Sequence, residues 1–364
     1  MIERSEKEIV RNWPKEWDTP IVSIRCAAFN HENYIANALD GFLIQETDFP
    51  FEVIVHDDAS TDKTASIIKK YEQKYPNIIK PIYETENQYS KHDGSLRRII
   101  TKACKGKYFA LCEGDDYWTD PLKLQTQIKW LDSHPDYTMC CSDAIIKAPD
   151  KILDWHRYEK DCDIPVKDMI LGSGSFVQTA TLVYRRDLLI NYPDECKKCH
   201  VADYPLQLWA VLNGRVRYFS AKTAVYRFFH AGSWTTNQGK KDLKSLIENW
   251  QSELDMLDSL DIYSNKEYTL YFKEQKESVL HNALIKNKEN WFPILSKIRN
   301  FSKTSITHKK IEGFFIQCNC ESIANFYYFT TQRKYKIAIF SLPFIKKIYT
   351  FFYYRILRHN RSQS

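Results

Sequence analysis

Short apolar runs alternate along the first half of the chain with stretches whose apolar residues recur every three or four positions. Residues 20–29, Phe51 to His56, Ile78 to Tyr83 and Tyr108 to Cys112 read as strands, the last of them buried on both faces. Between them, Ile35, Ala38, Leu39 and Phe42, then Ile67, Ile68 and Tyr71, then Arg97, Ile99 and Ile100 mark helices. Thr61 or Asp62 can cap the second of these. Strand and helix alternating through short links predict a doubly wound, mostly parallel α/β sheet. After Pro121 the pattern continues as a helix (Leu124, Ile128, Leu131), a strand from Tyr137 to Ile146, a polar stretch to Asp168, and a turn at Gly172–Ser175. A strand from Phe176 to Tyr184 and a helix from Val201 to Asn213 follow. Val216 to Phe219 and Thr223 to Phe229 read as a strand pair, and beyond about Lys240 the pattern is helical.

The fourth strand, Tyr108 to Cys112, runs directly into Glu113, Asp115 and Asp116, relieved only by Gly114. Three carboxylates at one strand end repel one another unless a cation or a hydrogen-bond network holds them. Hard divalent ions such as Mg²⁺ or Mn²⁺ take such oxygen ligands, with phosphate oxygens completing the shell. A solvated acidic turn leading into the next helix is the plainer alternative. Asp57 and Asp58 sit beyond the second strand, where carboxylates suit a nucleotide's base and ribose, although Asp-Asp-x-Ser is also good turn chemistry. Neither G-x-G-x-x-G nor a Walker loop is present, so phosphates would be held by metal and Arg.

With 364 residues, 43% hydrophobic and 14% aromatic, the chain can bury one large α/β domain and an added helical region. The expected partition is an N-terminal extension (1–19), an α/β domain over 20–238 with a first half (20–120) and a second half (121–238), and a helical region (239–364). The net charge of +6 is modest, but Lys and Arg crowd the C-terminus. No run approaches the length needed to span a bilayer, and Met1 to Glu8 lacks the apolar core of a signal peptide. A cytoplasmic location with reduced cysteines is therefore expected. Cys196-Lys-Lys-Cys199-His200 has haem-attachment spacing, but such attachment needs export, and these thiols read as part of a polar loop. The tail from Tyr335 to Arg361 mixes large apolar residues with basic ones. It either lies peripherally in the inner face of a membrane or docks as a terminal helix.

The ordered set of Ser23 to Asn30, Asp57 to Asp62, Gly94 with Arg97, and Glu113 to Asp116 resembles the family 2 glycosyltransferases. These are inverting GT-A-fold enzymes that use nucleotide-diphosphate sugars. The resemblance covers roughly residues 20 to 235 and is more specific than any one motif. It implies that Phe29, Asn30, Glu32 and Asp58 contact the nucleotide, with Arg97 near it. Asp115 and Asp116 would hold ribose and the metal, Mn²⁺ or Mg²⁺. Asp203 takes the place of the general base. Arg227 and His230, in Tyr226-Arg-x-x-His230, would approach the diphosphate or the metal. For His230 a packed histidine between aromatic strands is an equal alternative, and for Asp203 a helix N-cap is the plainer one.

The chain departs from the family pattern in three places. The first acid of the usual D-x-D is Glu113, the acid that often precedes the base is Ala202, and the Q-x-x-R-W of processive synthases is absent. Single-sugar transfer to a glycan or lipid-linked acceptor in bacterial surface polysaccharide synthesis is the resulting expectation. The donor would be a UDP-sugar, the acceptor pocket would form around Gly172 to Thr181, and nucleic acid would play no part. A sugar nucleotidyltransferase and a catalytically silent sugar-nucleotide-binding protein are the competing readings. The first would need a Gly-rich basic loop after strand one, where Ala27-Ala-Phe-Asn-His31 stands instead.

Overall fold

The computed structural model describes residues 2–153, 156–228, 236 and 241–286. His230 and the basic aromatic tail lie outside the described residues. Four strands come from the apolar runs: β1 (Val22–Ala28), β2 (Phe51–Asp57), β3 (Ile79–Tyr83) and β4 (Tyr108–Leu111). They pair in parallel in the order β3-β2-β1-β4, with Val22 opposite both Phe51 and Tyr108. Pro81, which cannot donate to a ladder, falls on β3 at the sheet edge.

Helices α2 (Ile35–Leu43), α3 (Thr64–Lys74) and α4 (Ser95–Ala103) form the crossovers, after a short N-terminal α1 (Glu6–Ile9). Ile9 and Trp13 of the N-terminal extension join the core. Gly94 starts α4 in the left-handed region, with φ +79°, where a side chain would be strained. Gly41 in α2 has a different reason. A Cβ there would lie 2.7 Å from the backbone N and O of Trp118, on the short strand β5 (Tyr117–Trp118). We expect Gly41→Ala to lower the unfolding free energy by about 1–3 kcal/mol, the usual range for overpacking. Denaturant unfolding checks this, and an unchanged midpoint would show that the helix can retreat.

Beyond β4 the sheet becomes mixed. The strands β6 (Tyr137–Lys147), β9 (Val183–Arg185) and β10 (Arg215–Arg227) extend it as β4-β9-β6-β10-β5, with β9 antiparallel to both neighbours and β6 parallel to β10. Two short strands, β7 (Ile152–Leu153) and β8 (Cys162–Asp163), pair with β6 and β10 within the stretch expected to be irregular. The polar stretch thus contributes to the sheet edge.

The expected strand pair over 216–229 is instead one strand. Ser220 to Lys222 looks like a turn, but its polar backbone is met from elsewhere. The Ser220 N–H and hydroxyl both donate to Asp161 Oδ1 at 2.8 Å, and the strand passes through as a bulge. The strand expected from Phe176 shrinks to β9, preceded by a 3₁₀ turn at Thr179–Thr181. Carbonyls there are taken by side chains rather than by a ladder: Trp118 Nε1 donates to Ala180 O at 2.7 Å, and Gln127 Nε2 to Thr181 O at 3.0 Å.

Helix α5 (Lys123–Ser133) backs this half, followed by α6 (Val166–Leu171), α7 (Asp194–Lys198) and α8 (Asp203–Asn213). Cys196 and Cys199 do not sit in a polar loop. Both are buried, Cys196 in α7 and Cys199 at its end. Two long helices close the described chain, α9 (Leu243–Tyr263), capped by Asp242 Oδ1 accepting from Ser245 N at 2.7 Å, and α10 (Thr269–Lys286). The described residues up to Leu280 form one compact unit. No described helix is long and apolar enough to cross a membrane.

Candidate active site

The parallel register sets the site. Ala28 stands opposite Asp57, and Arg25 opposite Leu111, so the chain leaves β1, β2 and β4 at one edge of the sheet. Ligands of open α/β sheets sit beyond such carboxyl ends. The first two loops are laced together. Asn30, at φ 55°, accepts from Thr61 N at 2.8 Å and donates its own N–H to Ser60 Oγ at 2.9 Å. Glu32 accepts from Lys63 N at 3.1 Å and donates its N–H to Asp62 Oδ2 at 3.0 Å. Asp62 also caps α3 through Thr64 N at 2.8 Å. Asn30 and Glu32 therefore shape the loops from within.

Asp58 is only 1% exposed. Its two oxygens accept the N–H groups of Gln88 and Tyr89 at 2.6 and 2.9 Å, which pins the loop after β3. Each carboxylate oxygen carries a second lone pair. Asp58 N–H donates to Ala28 O, and Phe29 and Tyr89, next to these backbone contacts, are 44% and 48% exposed. Tyr89 was not singled out by sequence, because a lone Tyr in a polar loop carries no pattern.

At the end of β4, Glu113 turns back and accepts from Ala27 N at 3.2 Å. Burial, with the Asp115 charge beside it, pushes its carboxyl up to about 7. Asp116 is 4% exposed and accepts the Arg227 N–H at 2.8 Å. Burial first, then Asp115, holds it well above the usual carboxylate range. Asp115 is more open, with His31 Nε2 at 4.0 Å. Arg227, at the end of β10, donates to the Asp115 carbonyl and to Asn37 Oδ1 at 2.9 Å. Its guanidinium lies between the rings of Tyr117 and Tyr34, 4.5 and 5.1 Å from their centroids. The residues fit a hard divalent ion: oxygen-only donors, crowded like charges, and one of them buried. Among the described residues no group of three or more His, Cys, Asp or Glu side chains is placed to hold a metal ion by itself. Ligand phosphates and water would have to complete the shell.

Asp203 opens α8 on the other half. Its Oδ2 accepts from the Thr179 hydroxyl at 2.9 Å and its Oδ1 from Tyr204 N at 2.8 Å. Burial raises its carboxyl, while these two donors favour the ionised form. A Cβ on Gly174 would lie 3.9 Å from Asp203 Oδ1, so the Gly172–Ser175 turn passes beside it. The Asp203 charge also reaches Glu113, which joins the two halves electrostatically. Arg97 makes its contacts elsewhere. It donates to Lys197 O at 3.0 Å and lies over the Tyr192 ring at 5.7 Å, on the segment around α7.

Residues 23–192 match the sequence model of "Glycosyl transferase family 2". Uncharacterized proteins of Mycobacterium tuberculosis and Mycobacterium bovis are 39% identical over 220 residues, 58% of this chain and 60% of theirs. The chain thus spans about three fifths of the length of these relatives. The Escherichia coli protein WfaP, named UDP-Glc:alpha-D-GlcNAc-diphosphoundecaprenol beta-1,3-glucosyltransferase, is 34% identical over 113 residues, 31% of this chain and 42% of that one. Among solved structures, residues 1–349 of Staphylococcus aureus TarS, in complex with UDP-GlcNAc, superpose with a TM-score of 0.61 at 16% identity, covering 88% of this chain and 94% of that one. The α/β fold is shared with that protein.

Proposed function

We propose, from the match of residues 23–192 to the glycosyl transferase family 2 model, that the protein transfers one sugar, with inversion, from a nucleotide-diphosphate sugar to an acceptor hydroxyl. The observation that carries this reading is the acidic end of β4 facing two laced loops on one side and, through charge, Asp203 on the other. A UDP-sugar is the favoured donor, since TarS was solved with UDP-GlcNAc and WfaP is named for UDP-Glc. The WfaP name also favours a lipid-linked glycan as acceptor, in bacterial surface polysaccharide synthesis.

Phe29 would stack on the base, and Asp58 would offer its remaining lone pairs to it. Asp115 and Asp116 would hold Mn²⁺ or Mg²⁺, which neutralises charge on the departing nucleoside diphosphate. Arg227, fixed between two tyrosines, places a permanent cation beside them. A sugar hydroxyl is a poor nucleophile at neutral pH, so Asp203 takes its proton as the oxygen attacks the anomeric carbon. Thr179 and Tyr204 N–H keep that carboxylate ionised and oriented. A single displacement leaves the anomeric centre inverted.

The deciding experiment is a panel of UDP-glucose, UDP-GlcNAc and GDP-mannose with Mn²⁺, read by thermal shift and by release of nucleoside diphosphate. A cognate donor at a hundred times its Kd should stabilise the protein by about 2.7 kcal/mol. Binding without any turnover would favour a silent binding protein, and a protein indifferent to the whole panel would overturn the reading.

A further inference from the structure

The Gly172–Ser175 turn carries its second glycine where the fold does not ask for one. Ser173 takes the left-handed region, with φ 56°, where a side chain is strained, whereas Gly174 lies outside that region. Packing gives no reason for Gly174 either. Within 4 Å, a Cβ there would meet Tyr204 Cβ at 3.4 Å and Asp203 Oδ1 at 3.9 Å, both ordinary contacts. Every other described glycine is explained by the fold. Gly94 is left-handed, and at Gly41, Gly106, Gly114, Gly172 and Gly214 a Cβ would come within 2.9 Å of a neighbouring atom. Glycine costs backbone entropy, so the space it leaves at 174 calls for another reason.

That space is held open by a fixed frame. Arg157 Nε donates to Phe176 O at 2.9 Å and its Nη2 to Ser175 O at 3.2 Å, with the guanidinium 4.3 Å from the centroid of the Phe176 ring. The residues on either side of Arg157 are tied down as well. His156 Nδ1 lies 2.6 Å from the buried Asp143 carboxylate, and the Tyr158 hydroxyl donates to Asp168 at 2.7 Å. On the other side of the space, α8 is clasped by α9. Tyr263 donates to Asn213 Oδ1 at 2.7 Å, and its ring meets that of Trp209 at 4.4 Å. The Thr179 hydroxyl occupies Asp203 Oδ2, so Oδ1 is the oxygen beside Gly174. Gly174, Thr179 and Asp203 are all partly exposed.

We propose that Gly174 is a specificity-determining residue: the side chain it lacks is the room through which a sugar ring brings a secondary hydroxyl to Asp203 Oδ1. This rests on the reading of Asp203 as general base. A hydroxyl oxygen bonded to Oδ1 stands about 2.7 Å from it. The ring carbons on either side of a secondary hydroxyl then enter the zone that a Cβ 3.9 Å from the same oxygen would fill. A water molecule brings no such carbons. In the transfer Oδ1 takes the O–H proton, the acceptor oxygen bonds to the anomeric carbon, and the bond to the diphosphate oxygen breaks.

The test uses the full chain with Mn²⁺ and UDP-glucose or UDP-GlcNAc, and reads two products side by side. One is hydrolysis, in which water attacks; the other is transfer to methyl glucosides and methyl N-acetylglucosaminides. Gly174→Ala should melt no lower than the wild type, because alanine fits the backbone there. The ratio of transfer to hydrolysis should fall about tenfold in Gly174→Ala and about 10²-fold in Gly174→Val, the scale on which a pocket tells apart ligands that differ by a methylene. The loss should appear in the acceptor KM and not in the donor KM. A lower melting temperature for Gly174→Ala, or transfer and hydrolysis falling together, overturns the proposal, since either marks a residue that the fold needs. So does a wild type that hydrolyses donor yet glycosylates none of these rings. Asp203→Asn separates the two readings. If it transfers at the wild-type rate while the Gly174 series loses transfer, the base assignment fails and the acceptor route stands. If it loses turnover while Gly174→Val transfers normally, the base stands and the route beside Gly174 falls.

Discussion

Asp203→Asn leaves the protein folded and able to bind nucleotide-sugar, and lowers transfer by at least about 10²-fold, the low end for loss of a general base. Asn keeps an oxygen to accept from the Thr179 hydroxyl, and Asn is a good residue at a helix start, so the opening of α8 survives. What disappears is a proton acceptor placed beside the Gly172–Ser175 turn. The signature is a split: calorimetric affinity for the donor unchanged, turnover lost. A mutant that transfers at near the wild-type rate would reduce Asp203 to a helix cap.

Asp116→Asn gives the opposite split. Its Oδ1 partner, the Arg227 N–H, is still satisfied by the Asn carbonyl, and one of three crowded negative charges is removed. The melting temperature without ligand should therefore not fall. Nucleoside diphosphate binding should lose its dependence on Mn²⁺, and turnover should fall by about 10²-fold or more, as when a group stabilising transition-state charge is deleted. Calorimetry of UDP with Mn²⁺ and with excess chelator makes the comparison. Wild-type protein that stays fully active in chelator would sink the metal assignment, whatever the mutant does.

The parallel half of the sheet was legible because each strand is a local apolar run and each exit is marked by Asp, Asn or Gly. β1, β2 and β4 lie within residues of where the hydrophobic pattern puts them. The acidic cluster was legible for the same reason, being contiguous in sequence. What escaped depends on partners far along the chain. β10 reads as two strands until Asp161 satisfies the bulge at Ser220. Nothing in the sequence around Arg97 announces the Lys197 carbonyl and the Tyr192 ring that it meets.

The clasp between α8 and α9 bears on where this protein can be shortened. The family match ends at residue 192, before α8 begins. A chain cut there would lose Asp203 outright. One cut at 240 would keep Asp203 but strip α9 from Trp209 and Asn213, baring the apolar surface that Leu254, Leu257 and Leu260 now cover. An exposed face of that kind invites self-association rather than a smaller working enzyme. A piece that keeps this face covered therefore runs at least through α9, well past the end of the family match.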